Sequence, residues 1–250
     1  MVYFIGAGPG DVDLITVKGR RLLKEADVVI YAGSLVSTEH LNFCKEGVEV
    51  YDSSSMNLDE ITQIIGNAYR QGKRVVRLHT GDPTLYGAIL EQMRELDKLN
   101  IPYEVVPGVS SFTASCARVK REFTVPEVTQ TVILTRISGR TPVPEEEDLE
   151  VLAAHKSSMA IFLSVHEIDR VVEKLKRGYQ DENVPCAVVY KATWQDEEVI
   201  VGTLKDIADK VKDKNIRRTA QILVGYFLND NGTYSRLYDK NFSHEFRDAL

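Results

Sequence analysis

The sequence predicts a two-domain α/β protein, and three observations carry that expectation. Short apolar runs alternate with longer amphipathic stretches through the first half, which is the signature of a parallel sheet with crossover helices. Beyond a charged, proline-containing stretch the pattern changes to strand-like runs with only two or three helices between them, which suggests a mixed sheet. Three loops rich in small residues each follow an apolar run in the first half, where an open sheet binds its ligands. The expected organisation is an N-terminal α/β domain at 1–117, a connection at 118–128 and a C-terminal α/β domain at 129–250.

In order along the chain, Val2 to Ile5, Val28 to Tyr31, Val48 to Tyr51, Val75 to Leu78 and Tyr103 to Val106 read as strands, several continuous enough to be buried on both faces. Leu14, Val17, Leu22 and Ala26 mark one face of a first helix, and further helices are expected over 58–71 and 84–99. After the connection, Gln130 to Thr135, Ala160 to Val165, Ala187 to Tyr190, Val199 to Gly202 and Ile222 to Phe227 are strand-like. Glu145 to Asp148, after Pro144, reads as the acidic first turn of a helix, favourable to its dipole, rather than as a metal site.

Composition narrows the function. A chain of 250 residues with 43% hydrophobic content can build a full core, and a net charge of −6 with no basic excess in either half argues against nucleic acid as a partner. Cys44, Cys116 and Cys186 lie more than 60 residues apart, which fits neither a metal knuckle nor a disulfide framework. The chain shows no signal-peptide pattern and no apolar stretch long enough to span a bilayer, so a soluble cytoplasmic protein is expected, with no membrane partner.

Gly6-Ala7-Gly8-Pro9-Gly10-Asp11 lets the backbone turn sharply and approach a ligand at the end of the first strand. A nicotinamide enzyme, the reading from another class, would want a third glycine where Asp11 stands, and an acidic residue where the second strand ends in Tyr31-Ala32-Gly33. No Walker-type lysine motif occurs either. In Thr80-Gly81-Asp82-Pro83-Thr84-Leu85-Tyr86-Gly87, Gly81 permits close approach, Asp82 offers a carboxylate and Pro83 suits a helix's first turn. The bland alternative for Asp82 is a helix cap. Pro107-Gly108-Val109-Ser110-Ser111 repeats the small-residue theme, and three such loops would converge on one crevice.

With Asp13-Leu14-Ile15-Thr16-Val17-Lys18-Gly19 beyond it, the first loop resembles the opening motif of the tetrapyrrole (corrin/porphyrin) methylases. Thr80 to Tyr86 resembles their Gly-Gly-Asp-Pro loop with Thr80 in place of the first glycine, and 107–111 resembles their third loop. Pro185 to Val189 through Thr193, and Ala220 to Gly225, also match in place, so the likeness covers essentially the whole chain. Leu78 to Pro83, Thr131 to Pro144 and Leu237 to His244 resemble a methylase of cobalamin synthesis within that family.

The resemblance implies the two-domain methylase fold, S-adenosylmethionine as methyl donor, a tetrapyrrole substrate and a homodimer. By position it assigns donor contacts to Pro9, Thr80, Gly81, Asp82, Leu85, Ser110, Ser111, Leu163, Ala192 and Ala220. A macrocycle bearing many carboxylates calls for guanidiniums and aromatics at its rim, and Arg77, Arg136, Arg140, Tyr31 and Tyr86 are the candidates. Methyl transfer from a sulfonium is an in-line displacement needing mainly alignment, so no triad is required. If one residue assists deprotonation, His79 comes first and Asp82 second. No protein-bound metal is expected; cobalt, if present, arrives inside the substrate.

Overall fold

A computed structural model of the chain describes residues 1–33, 35–229 and 232–248. It divides into two compact units, Met1–Ala114 with Lys191–Asp196, and Ser115–Tyr190 with Glu197–Leu250.

The first unit is built on a five-stranded, wholly parallel sheet of β1 (Val2–Gly6), β2 (Val28–Tyr31), β3 (Glu49–Asp52), β4 (Val75–His79) and β5 (Tyr103–Val106), in the order β3-β2-β4-β1-β5. Its central strands β1 and β4 are almost entirely buried, β1 as an apolar run and β4 with Arg77 and His79 buried among its apolar residues. Alternate residues divide the core between the two faces. Val2, Phe4, Val28, Ile30 and Val75 pack against α2 (Leu58–Arg70) and α3 (Ile89–Lys98), while Ile5, Val29, Val76 and Leu78 meet Leu22 and Leu23 of α1 (Val17–Lys24). Helix α2 begins at a full capping box, Asn57 bonding the Glu60 amide and Glu60 the Asn57 amide, and buries Ile61, Ile65 and Ala68.

Two helix expectations need correction. Leu14 lies in a short 3-10 turn, Thr16 caps α1, and Val17, its first residue, is 87% exposed; the buried stripe is Gly19, Leu22 and Leu23. Helix α3 starts at Ile89 rather than near 84, and Pro83 is not in its first turn. The intervening loop cannot be helical because Tyr86 and Ala88 hold left-handed φ values of 55° and 48°. Gly87 sits so close to the Pro83 carbonyl that a side chain would collide with it.

In the second unit the sheet is mixed: β6 (Val132–Arg136), β7 (Ser158–Phe162), β10 (Ala220–Val224), β8 (Pro185–Tyr190) and β9 (Glu198–Thr203), in that order, with only β6 and β7 parallel. Helices α5 (Leu149–Ala153), α6 (Ile168–Tyr179) and α7 (Ile207–Asp213) cover it. Asp148 accepts from the Glu150 amide and caps α5, while Glu145–Glu147 form a 3-10 turn before it. The chain passes from one unit to the other within α4 (Ser111–Arg118). Residues after it are fastened to the second unit: Phe123 stacks on Phe227 at 4.9 Å, its carbonyl accepts from Ser158 Oγ, and Arg121 Nε donates to the Leu228 carbonyl.

Candidate active site

In the first unit, all three small-residue loops leave the carboxyl ends of β1, β4 and β5 and meet there. The Ala7 amide donates to the His79 carbonyl at 2.7 Å, and Gly8 and Gly81 exchange both backbone hydrogen bonds, at 2.8 and 3.3 Å. A Cβ on Gly6 would lie 2.6 Å from Gly108 Cα and against the Gly81 carbonyl, and one on Gly108 would meet the same carbonyl and Gly6 Cα, so those two positions need glycine for want of space, while Gly81 needs it for its φ of 59°. Asp82 ties the second loop to the third: Oδ2 accepts from the Gly108 amide at 3.0 Å, and Oδ1 accepts from the Thr84 amide at 2.8 Å and the Thr84 hydroxyl at 2.6 Å. The carboxylate therefore braces two loops, and it caps no helix.

These contacts bring Pro9, Thr80, Gly81, Asp82, Leu85, Ser110 and Ser111 to one end of the sheet; Gly81 Cβ, were it present, would stand 3.7 Å from Ser110 Cα and 3.8 Å from the Ser111 amide nitrogen. Ala192, buried, joins them on the Lys191–Asp196 segment of the same unit. That segment holds residues the sequence did not single out. Trp194 Nε1 donates to the Pro9 carbonyl and Thr193 Oγ1 accepts from the Asp11 amide. Buried His40 approaches the Ala7 carbonyl with Nε2 at 2.9 Å and the Ser37 carbonyl with Nδ1 at 3.0 Å. The lone tryptophan of the chain, between two strand-like runs, was the available signal for the strap; His40 offered none.

Leu163 and Ala220 belong to the second unit. The antiparallel register Ile222–Ile161 places them across from one another at the sheet end where β6 finishes at Arg136. Leu163 is 62% exposed with φ 54°, so core packing does not account for it. Arg136 Nη1 donates to the Thr141 and Ile137 carbonyls at 3.0 and 3.3 Å, and Nη2 to Pro142 at 2.8 Å. Arg170 reaches the Ser138 carbonyl at 2.9 Å from the other side. The loop so braced carries exposed Arg140.

Arg77 and His79 share a face of β4, and both are 5% exposed. Arg77 Nε donates to Gln92 Oε1 at 3.1 Å and Nη1 to the Ile30 carbonyl at 3.2 Å, and burial pulls its pKa down to about 10, which leaves it charged at neutral pH. Burial, with Arg77 adding repulsion, drives His79 down to about 3. Its ring is neutral at physiological pH, lies 6.0 Å from the Phe4 ring, and leaves Nε2 buried without a partner among the described residues. So weak a base is poorly matched to taking a proton near neutrality. Tyr31 packs on the α1 side of the core, and Tyr86 is exposed in its left-handed turn.

The model of the family Tetrapyrrole (Corrin/Porphyrin) Methylases matches residues 1–208. The chain belongs to this family. It is 56% identical over 247 residues to a cobalt-precorrin-4 C(11)-methyltransferase of Methanocaldococcus jannaschii, covering 98% of this chain and 95% of that one. Among solved structures it is similar to a cobalamin biosynthetic enzyme, cobalt precorrin-4 methyltransferase (TM-score 0.89, 49% identity, 91% of this chain and 95% of that one). It is also similar to the uroporphyrin-III C-methyl transferase of Thermus thermophilus complexed with S-adenyl homocysteine (TM-score 0.75, 28% identity, 91% and 93%). As a tetrapyrrole methylase the chain is a methyltransferase. Among its described residues no helix is long and apolar enough to cross a membrane, and no group of three metal-type side chains is present.

Proposed function

We propose that this methylase transfers the methyl group of S-adenosylmethionine to C11 of precorrin-4 or its cobalt complex, giving the corresponding precorrin-5 in cobalamin biosynthesis, and that it works as a cytoplasmic homodimer. The observation that carries the donor half is the meeting of the three loops at Gly6, Gly81 and Gly108. The substrate half rests on likeness to cobalt-precorrin-4 methyltransferases over nearly the whole chain.

In this reading Pro9, Thr80, Gly81, Leu85, Ser110, Ser111 and Ala192 line the donor's place on the first unit, with Asp82 setting the loops' spacing. Leu163 and Ala220 keep the role of donor contacts that the family resemblance gives them. Arg140 pairs with macrocycle carboxylates from the loop that Arg136 braces, and Tyr31 and Tyr86 pack on the ring system. Arg77 acts from beneath the site, since its guanidinium is bonded to Gln92 and Ile30. The reaction forms a carbon–carbon bond at C11 as the sulfonium becomes a neutral thioether, and a proton leaves the macrocycle. Alignment of donor and acceptor supplies most of the acceleration. A general base is not needed at His79, and the conjugated ring stabilises the charge that develops on it.

Incubating the protein with S-adenosylmethionine and either metal-free or cobalt-loaded precorrin-4, followed by mass spectrometry, tests the reading. One added methyl located at C11 is expected. Methylation of uroporphyrinogen III instead would reassign the substrate within the family.

A further inference from the structure

We infer that the Lys191–Asp196 strap is a clasp on the glycine loop and that Trp194 is a positioning residue for donor binding. This rests on the donor reading above and adds to it a part of the chain that makes no assigned contact through these side chains. The strap is remote in sequence from the loop, yet consecutive residues of it hold both sides of the loop's apex. Trp194 Nε1 donates to the Pro9 carbonyl at 2.8 Å, and Thr193 Oγ1 accepts from the Asp11 amide at 2.9 Å. Between these anchors the indole lies on Gly10, where a Cβ would run into its Cδ1, Nε1 and Cγ atoms. Gly10 has no positive φ to explain it, so the indole is what demands a glycine there.

The rest of the loop is fixed from elsewhere. Ala7 and Gly8 are bonded to His79, Gly81 and His40. The strap completes this by fixing the next peptide. In a trans peptide the N–H points opposite to the carbonyl. Bonding the Pro9 carbonyl to Trp194 therefore turns the Gly10 N–H away from the indole, and the orientation of a donor contact at Pro9 and Gly10 follows from it.

The strap's own backbone shows that its conformation is held by its surroundings. Lys191 has φ 45° and the β-branched Thr193 has φ 73°, a region that such a residue adopts only under constraint. Lys191 Nζ stands 5.6 Å over the Trp194 ring and pairs with Asp196 at 2.5 Å, which closes the strap on itself.

Trp194→Phe keeps an aromatic ring and removes the indole donor together with part of the indole's contact area. Calorimetry with S-adenosylhomocysteine should show binding weakened about three- to tenfold, the net worth of one hydrogen bond. KM for the donor should rise while kcat and KM for the tetrapyrrole hold. Gly10→Ala should weaken the same binding about tenfold or more in the wild-type background, through overpacking, and far less in the Trp194→Leu background, where the indole is gone. A purely structural role would lower melting temperature without this rescue.

Wild-type protein that fails to bind S-adenosylhomocysteine would sink the donor reading, and the clasp with it. Wild-type binding with Trp194→Phe within twofold of it, or with Gly10→Ala equally costly in both backgrounds, overturns the clasp alone. Should the variants not fold, hydrogen exchange on the wild type decides: segments 8–13 and 190–196 should slow together at saturating S-adenosylhomocysteine, and an unaltered strap refutes the inference.

Discussion

Asp82 holds three donors with two oxygens, and two of those donors are on its own loop while the third is on the loop after β5. Removing the carboxylate frees the Gly108 amide and unties the loops, and a charged acceptor of this kind contributes about 1.5–3 kcal/mol per bond. Asp82→Ala should therefore weaken S-adenosylhomocysteine binding by about ten- to a hundredfold in calorimetry, and Asp82→Asn, which keeps one carbonyl acceptor, by less. His79 gives a prediction of a different kind. Its folded pKa of about 3 lies below the ordinary value of 6.5, so the unfolded chain binds the extra proton and stability falls as pH drops through 6.5 toward 3. Between pH 7.5 and 5 this amounts to about 2 kcal/mol. Urea unfolding of His79→Leu should lack that part of the pH dependence; an unaltered profile would show that the ring is not held neutral. Asp27, Asp181 and Asp206 have pKa values lowered chiefly by their hydrogen bonds, and they act lower, as pH falls below the usual carboxylate value near 3.8.

Loops and strands differ in how much of them the sequence exposes. Strands β1 and β2 are legible because burial on both faces demands unbroken apolar runs, and β4 because Val75, Val76 and Leu78 surround its buried Arg77. The start of α3 is not, since Pro83 after Asp82 is a good helix opening by local rules, and the left-handed turns at Tyr86 and Ala88 divert the chain before Ile89. The segment 118–128 reads as a connection because it is charged, whereas Phe123 and Arg121 pin it to the second unit through partners over a hundred residues away. The same contrast separates Arg136 from Arg140. Arg136→Ala should loosen 137–142, seen as faster limited proteolysis there, and raise KM for the tetrapyrrole about five- to thirtyfold through the loss of charged hydrogen bonds. Arg140→Ala should raise that KM without the proteolysis, and both should leave S-adenosylhomocysteine affinity unchanged.

For the molecule as a whole, a ligand that binds only the folded state adds about 2.7 kcal/mol at a hundredfold excess over its Kd. For a chain of this size that raises the melting temperature by about 5–10 °C, and differential scanning calorimetry with S-adenosylhomocysteine should show it. No shift would argue that the loops do not form the donor's site. What the sequence by itself determined is the family, the α/β class with a parallel and a mixed sheet, and the loops on which the donor reading stands. Periodicity, glycine placement and motif order are local properties written directly in the chain. What the tertiary structure decided is the work of each side chain: Asp82 as a brace, Arg136 as a loop staple, His79 as a buried neutral ring, and Trp194 across the glycine loop. Those roles depend on which donor meets which acceptor across long sequence separations, and on how much water burial removes, neither of which any local stretch of residues contains.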